Sequence, residues 1–234
     1  MVARLNEYLA AMVQLVYQFD GTVDKFIGDG IMIYWGAPLA QPDHASRAIS
    51  CSVAMKQAMA DFAVKWESAG VEPFAIRGGV QSGEVVAGNI GSHGKKMEYT
   101  VIGDTVNQAA RLEGTAKFYG VSFLVGDSTY ELTRDSFRYR ELDRIRVVGK
   151  QIPVAVYELR GALQDPEDAL AVRFAAALAL YRERRWDEAE NSFAGVLAQF
   201  ADDHPSAIYV ERCRHFRDVP PPDDWDGVFN RREK

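Results

Sequence analysis

Residues 98–111, EYTVIGDTVNQAAR, place the strongest constraint on how this chain can fold. The apolar run at 99–102 predicts a short strand, and Gly103 with Asp104 predicts a tight turn. A helix is then expected from Thr105, with the Asp104 carboxylate accepting a hydrogen bond from one of its free backbone N–H groups. The segment therefore predicts a strand, a turn and a helix in immediate succession.

Asn107 and Arg111 are four residues apart on that helix, so their side chains lie on one face, one turn apart. An amide and a guanidinium beside a strand end are suited to hold a ribose and a phosphate. On these two residues alone, a solvated helix face is the more common explanation. Both interpretations stay open at this point.

A second stretch, residues 24–35 with the sequence DKFIGDGIMIYW, has apolar runs on both sides of Gly28-Asp29-Gly30. This pattern is typical of a β-hairpin. On the local pattern alone, Asp29 is only a turn residue.

Taken together, the two stretches resemble the catalytic domain of class III nucleotide cyclases. That family has a K-x-x-G-D hairpin, here Lys25 to Asp29, and then a strand–turn–helix ending in N-x-x-x-R, here Asn107 to Arg111. Between them lies GEVVAGNIG at 83–91. Either motif alone is weak evidence, but both in this order make a strong match, which covers residues 5–159.

The order of predicted elements indicates an α+β fold with helices on one face of a sheet. The family resemblance implies a ferredoxin-like βαββαβ core with additions, assigned here to residues 1–160. The individual expectations are helices at 4–19 and 43–69, strands at 74–81 and 84–87, a loop at 88–94, and antiparallel strands at 137–148 and 152–159.

The resemblance implies a chemical role for each matching residue. Asp29 would be one of two carboxylates that hold a pair of Mg²⁺ or Mn²⁺ ions at each site, because hard cations prefer oxygen ligands. Asn107 would orient the ribose, and Arg111 would stabilise charge on the α-phosphate while the 3′-hydroxyl attacks it and pyrophosphate leaves. The implied reaction converts ATP to 3′,5′-cyclic AMP in intracellular signal transduction.

Lys25 and Thr100 are the residues that the resemblance assigns to base recognition. Adenylyl cyclases of the family have a lysine and a Thr or Asp at these positions, whereas guanylyl cyclases usually have Glu and Cys. A lysine donates to adenine N1 and a threonine hydroxyl can accept from the N6 amine, while guanine presents the opposite pattern. We therefore predict ATP as the substrate, with guanylate cyclase as the alternative.

Further substrate contacts are expected from the same hairpin and from the last predicted turn. Many relatives have another basic residue where this chain has Val148, so its contacts to the triphosphate differ from the usual pattern. The residues expected to contact the substrate here are Phe26, Ile27, Gly28 and Lys150.

The second metal-binding aspartate of the family stands in a pattern like F-x-D-x-x-x-F, on a strand before the first helix. Residues 1–8 do not match this pattern. We therefore expect an N-terminally truncated chain with weak or no activity of its own.

The resemblance also implies a homodimer with two equivalent active sites between its subunits. One chain would hold the metals, and the other would contact the base and the ribose and supply the arginine. Asp29 and Arg111 acting on one ATP would then belong to different chains.

Residues 161–234 lie beyond the resemblance. We predict a linker at 161–168, a helical hairpin at 169–218 similar to one tetratricopeptide unit, and a Pro-rich acidic tail at 219–234. One such unit cannot form a stable solenoid, so its apolar face must pack on the cyclase domain or on another chain. Trp225 in the tail is expected to pack loosely rather than to dock a partner.

Composition excludes several classes of function. The net charge of −6 and the lack of a Lys/Arg cluster argue against nucleic-acid binding. No apolar run reaches the ~18 residues of a membrane span, and no signal peptide is recognisable. Cys51 and Cys213 are expected to be buried free thiols in a reducing cytoplasm, although upstream segments could anchor the intact protein to a membrane.

Two other functions remain open from the sequence. One is a catalytically incomplete nucleotide-binding or regulatory module, which the unmatched F-x-D pattern favours. The other is a protein-interaction module built on the helical hairpin and the tail. A diguanylate cyclase is set aside because its G-G-D/E-E-F signature is absent.

Overall fold

The computed structural model describes residues 2–92, 95–146 and 153–228. Helices and strands alternate along the first two thirds of the chain, and helices alone follow. In chain order they are α1 (Val2–Gln18), β1 (Thr22–Ile27), β2 (Gly30–Tyr34), α2 (His44–Ser68), β3 (Gly78–Val80), β4 (Val86–Ser92), β5 (Lys96–Ile102), α3 (Asp104–Tyr119), β6 (Phe123–Gly126), α4 (Asp127–Thr133), β7 (Phe137–Ile145), β8 (Val154–Ala162), α5 (Ala169–Arg182), α6 (Trp186–Leu197) and α7 (His204–Asp218).

The strands form one four-stranded sheet and two separate hairpins. The sheet has the order β3-β6-β8-β7, in which β3 and β6 are parallel and the other neighbours are antiparallel. The hairpins are β1-β2 and β4-β5, both antiparallel. The predicted α+β architecture and the hairpin around residues 28–30 are confirmed.

Helices α1 and α2 pack through their apolar stripes into the first part of the core. Met12 and Val16 of α1 and Ile49, Cys51 and Met55 of α2 are buried in one cluster with residues of β6 and β8. This burial is what an apolar residue at every third or fourth position predicts. The helices predicted at 4–19 and 43–69 are confirmed, and Cys51 and Cys213 are buried free thiols as expected.

The glycine-rich segment after residue 82 differs from its prediction. The loop expected at 88–94 is strand up to Ser92, where β4 pairs residue by residue with β5, from Val86 opposite Ile102 to Ser92 opposite Lys96. The strand expected at 74–81 is reduced to β3. Glycine weakens a strand locally, but the hydrogen bonds of a paired partner outweigh that preference.

Helix α3 lies directly on the backbone of β3. A Cβ atom at Gly79 would come within 2.0 Å of the Ala109 carbonyl oxygen, so only glycine permits this approach. At its far end α3 stops at Gly120, whose φ of 68° closes the helix. The position of the Asn107 and Arg111 face is therefore fixed by the sheet.

The C-terminal segment contains three helices rather than the two predicted. Helix α7 was missed, although Asp203 accepts a hydrogen bond from the Ser206 N–H and Pro205 lies in the first turn, which together are a helix-start pattern. Apolar side chains of all three helices enter one buried cluster with residues of α3, β6, β7 and β8. The helical unit thus packs on the preceding part of its own chain, one of the two arrangements predicted.

The tail also packs more closely than predicted. The Trp225 ring lies 5.3–5.6 Å from the rings of Tyr181, Trp186 and Phe216, and its Nε1 donates to the Val228 carbonyl at 2.7 Å. Arg184 holds the tail by donating to two of its backbone carbonyls at 2.8 Å. The prediction of loose packing was wrong, because the sequence of the tail alone does not indicate these partners.

Buried charges join the helical unit to the sheet. Arg212 Nη1 on α7 lies 2.7 Å from Asp143 Oδ2 on β7, and Asp143 also accepts from the Tyr119 hydroxyl on α3. Arg140 on β7 is similarly buried, at 2.6 Å from Glu158 and 2.7 Å from Asp203. No sequence pattern marks these pairs, because their partners are up to 69 residues apart.

Replacing Arg212 with methionine is expected to lower the free energy of unfolding by about 3–5 kcal/mol, because Asp143 is left buried without its cation. Urea unfolding followed by circular dichroism measures this. The matched control is Arg214→Met on the same helix, whose pair with Glu190 is exposed at the arginine and contributes little. Equal losses in the two variants would contradict a special role for the buried pair.

Candidate active site

Lys25 and Thr100, 75 residues apart in sequence, are brought together where β1 meets β5. Thr100 is buried, and its hydroxyl donates to Asp24 Oδ2 at 2.5 Å. Lys25 Nζ lies 3.5 Å from Asp24 Oδ1 and 3.2 Å from Glu98 Oε2, with 37% of its side chain exposed. One cation and one hydroxyl thus flank the same buried carboxylate.

The charges around Lys25 keep its ammonium group protonated. The hydrogen bond to Glu98 is the largest cause that raises the Lys25 pKa, and the charge of Asp24 adds to it. Hydrogen bonds from Lys96 and then Lys25 lower the pKa of Glu98. At neutral pH Lys25 is therefore only a hydrogen-bond donor, and its side chain is partly exposed to solvent.

Asn107 and Arg111 lie on the exposed face of α3. Within the described part of the chain, neither side chain makes a hydrogen bond or an ion pair. An exposed guanidinium without a carboxylate partner is available for an anionic ligand. The predicted single face is therefore present, and its two polar groups have no partner among the residues that the structure describes.

The start of α3 corrects one prediction. Asp104 does not cap the helix: Gly103 is the N-cap residue, and Asp104 is the first helical residue. Its carboxylate accepts a hydrogen bond from the Gln108 side chain one turn later. The loop before the helix is instead held by Thr105, whose hydroxyl donates to the Glu84 carbonyl at 3.0 Å.

Asp29 lies at the exposed tip of the β1-β2 hairpin. Among the residues described, it makes no hydrogen bond or ion pair. The pKa of Tyr8 on α1 is raised, first by the burial of Tyr8 and second by the negative charge of Asp29. No group of three or more His, Cys, Asp or Glu side chains in the described ranges is arranged to hold a metal ion. The exposed Asp29 carboxylate offers the oxygen type of ligand that a hard cation such as Mg²⁺ prefers.

Of the other residues predicted to contact the substrate, the structure describes those of the hairpin but not those of the last predicted turn. Phe26 and Ile27 are 52% and 63% exposed, and Gly28 adopts a φ of 63° at the turn. Lys150 and Val148 lie outside the described residues. No hydrogen bond or ion pair connects Asp29 with Lys25 or Arg111 in the part of the chain described here.

Residues 1–161 match the family described as the adenylate and guanylate cyclase catalytic domain. The chain belongs to this family. The chain is 33% identical over 163 residues to Adenylate cyclase 1 of Rhizobium meliloti, covering 70% of this chain and 24% of that protein. It is 32% identical over 163 residues to an adenylate cyclase of Anabaena cylindrica, covering 67% of this chain and 31% of that one. The chain thus spans about a quarter to a third of the length of these relatives.

Solved structures show the same fold. The adenylyl cyclase CyaB from P. aeruginosa superposes with a TM-score of 0.62 at 34% identity, over 70% of this chain and 83% of that one. The guanylyl cyclase Cya2 gives 0.62 at 30% identity, over 71% and 83%. The predicted ferredoxin-like cyclase core is therefore confirmed. No helix in the described ranges is long and apolar enough to cross a membrane.

Sequence reasoning missed two residues that shape this site, Asp24 and Glu98. Both are charged neighbours of residues that the motifs identify, and this adjacency was the only available indication. Their importance depends on the approach of β1 to β5, which no local pattern specifies.

Proposed function

We propose that this chain is the catalytic domain of an adenylate cyclase, which converts ATP to 3′,5′-cyclic AMP and pyrophosphate. The observation that supports ATP most directly is the pairing of Lys25, a donor, with Thr100, whose hydroxyl is available as an acceptor, at one place. Adenine requires a donor opposite N1 and an acceptor opposite the N6 amine. Both requirements are met by these two side chains.

The chain's own residues position the triphosphate. Arg111, exposed and unpaired in the described structure, neutralises the charge that grows on the α-phosphate, and Asn107 holds the ribose so that its 3′-hydroxyl faces that phosphate. Asp29 would be one of two carboxylates that hold a pair of Mg²⁺ or Mn²⁺ ions, which when bound would make the 3′-hydroxyl more acidic and stabilise the leaving pyrophosphate. Lys150 is proposed as a further contact to the triphosphate.

We propose a homodimer in which each site takes Asp29 from one subunit and Arg111 from the other. Within the chain no described interaction links these residues. Both hairpins also expose apolar side chains that a second copy would cover, namely Phe26, Ile27, Val86, Met97, Tyr99 and Ile102. A self-complementary contact of this kind gives two equivalent sites.

Residues 1–160 are proposed as the catalytic unit and 169–218 as an attached helical unit of tetratricopeptide type, with a linker at 161–168 and a tail at 219–234. Helices α5 and α6 follow each other closely in the chain, and Ala189 and Phe193 are buried on α6. Both features support the assignment of a unit of tetratricopeptide type. A cytoplasmic location stays a prediction.

The purified 234-residue chain is expected to bind ATP and to form cyclic AMP, weakly, only when Mn²⁺ or Mg²⁺ is present. Product is measured by chromatography, with EDTA treatment and metal re-addition as the paired control. Nucleotide binding without product would favour the regulatory module described above. Neither binding nor product with ATP or GTP would contradict the proposal.

A further inference from the structure

Asp24 occupies an irregular position in β1. Val23 lies opposite Ile33 and Lys25 lies opposite Met32, so Asp24 is an extra residue without a partner on β2. Such a β-bulge changes the direction in which a side chain points. The Asp24 side chain is 1% exposed and reaches Thr100 on β5 rather than solvent.

The contact between Asp24 and Thr100 has a fixed direction. A carboxylate has no proton to give, so in the 2.5 Å contact the Thr100 hydroxyl must donate to Asp24 Oδ2. Once its single proton is engaged, the hydroxyl can offer only lone pairs to a ligand. A threonine hydroxyl can normally either donate to a ligand or accept from it, and Asp24 leaves only the accepting role.

The second oxygen of Asp24 faces Lys25 Nζ at 3.5 Å. The same carboxylate therefore orients a donor on one side and an acceptor on the other. This arrangement matches the edge of a 6-aminopurine, which accepts at N1 and donates at N6, and opposes a 6-oxopurine.

We infer that Asp24 is a positioning residue for base selection, which makes Thr100 an obligate acceptor and thereby favours 6-aminopurine nucleotides over 6-oxopurine nucleotides. The inference rests on the proposed function, because it concerns the site at which the base would bind. Asp24 acts through the Thr100 hydroxyl and does not itself contact the base.

Asp24→Asn provides a test with almost no change of shape. Lys25 attracts the amide oxygen, so the amide nitrogen turns toward Thr100 and donates to its hydroxyl oxygen. The Thr100 proton is then free to point at the ligand, where it suits the O6 of guanine. The ratio of kcat/KM for ATP to that for GTP is expected to fall about tenfold.

Two comparisons separate this role from simple structural support. In a Thr100→Val background, Asp24→Asn should leave the ATP-to-GTP ratio unchanged, because the hydroxyl that it reorients is gone. With purine riboside triphosphate, which lacks a 6-substituent, kcat/KM should change much less than with ATP. Asp43→Asn, at an exposed carboxylate paired with Arg47, is the control that should alter neither ratio.

Equal losses with all three nucleotides, or the same fall in the Thr100→Val background, would overturn the inference and leave the proposed function intact. If turnover is too slow to measure, the ratio of dissociation constants for ATP and GTP replaces kcat/KM. A parent chain that neither binds nor converts ATP overturns the proposed function, and the inference with it. Unfolding curves confirm that each variant is folded.

Discussion

Replacing Arg111 with alanine is expected to lower the rate of cyclic AMP formation by about 10²- to 10³-fold, with a smaller effect on KM. The guanidinium is proposed to stabilise charge that exists fully only in the transition state, and removing one such donor typically costs this much. Initial rates at saturating ATP measure kcat. The structure supports a clean test, because Arg111 has no described ion pair whose loss would disturb the fold.

The control for Arg111 is Arg173→Ala, at another exposed helical arginine that lies on α5, away from the proposed site. This variant should retain the parental rate. A comparable loss in both variants, or a rise in KM with unchanged kcat for Arg111→Ala, would count against the assigned role.

Mixing two inactive variants tests whether the site is shared. Asp29→Ala and Arg111→Ala are each expected to be inactive, but half of the dimers in an equal mixture would contain both chains and one undamaged site. Activity should therefore return to about a quarter of the parental value. If unmixed and mixed samples are equally inactive, although the chains exchange, the shared site is wrong.

The second large effect is expected from Lys25→Glu combined with Thr100→Cys. This double change replaces a donor opposite N1 with an acceptor and removes the acceptor opposite the 6-amino group. A mismatch of buried hydrogen-bonding groups can discriminate by orders of magnitude, so the preference for ATP over GTP is expected to reverse by about 100-fold or more. Parallel assays with the two nucleotides give the ratio directly.

The structure adds one requirement to this experiment. Lys25 Nζ lies between two carboxylates, Asp24 and Glu98, so a glutamate at position 25 would create three neighbouring negative charges. The exchange is therefore best made with Glu98→Gln in both the parent and the variant. Unchanged selectivity for ATP in that background would refute the assignment of Lys25 and Thr100.

Local pattern was sufficient for elements whose own residues determine their structure. The helix α1 and the turn at residues 28–30 were both predicted correctly. Where structure depends on a distant partner, the same approach failed: β4 is strand because β5 pairs with its glycines, and α7 went unrecognised although it buries Tyr209 in the core.

The residues of the candidate site show the same difference between what a local pattern determines and what depends on a distant partner. The single face of Asn107 and Arg111 follows from helical spacing alone. The meeting of Lys25 with Thr100 was suggested only by resemblance to a family, because a bulge in one strand and the approach of another bring them together. The link through Asp24 depends on the same bulge, which no local sequence pattern specifies.

The segment that matches the family and the segment that shares one hydrophobic core end at different places in the chain. The match to the family model ends at residue 161, yet the buried cluster that holds the far end of α3 continues through Phe174, Phe193 and Tyr209. Cutting the chain where this match stops would divide one hydrophobic core and leave Asp143 without Arg212. The end of the family match is therefore a poor choice of boundary for a shortened protein. The helices beyond it pack against α3 and so support the helix that carries Arg111.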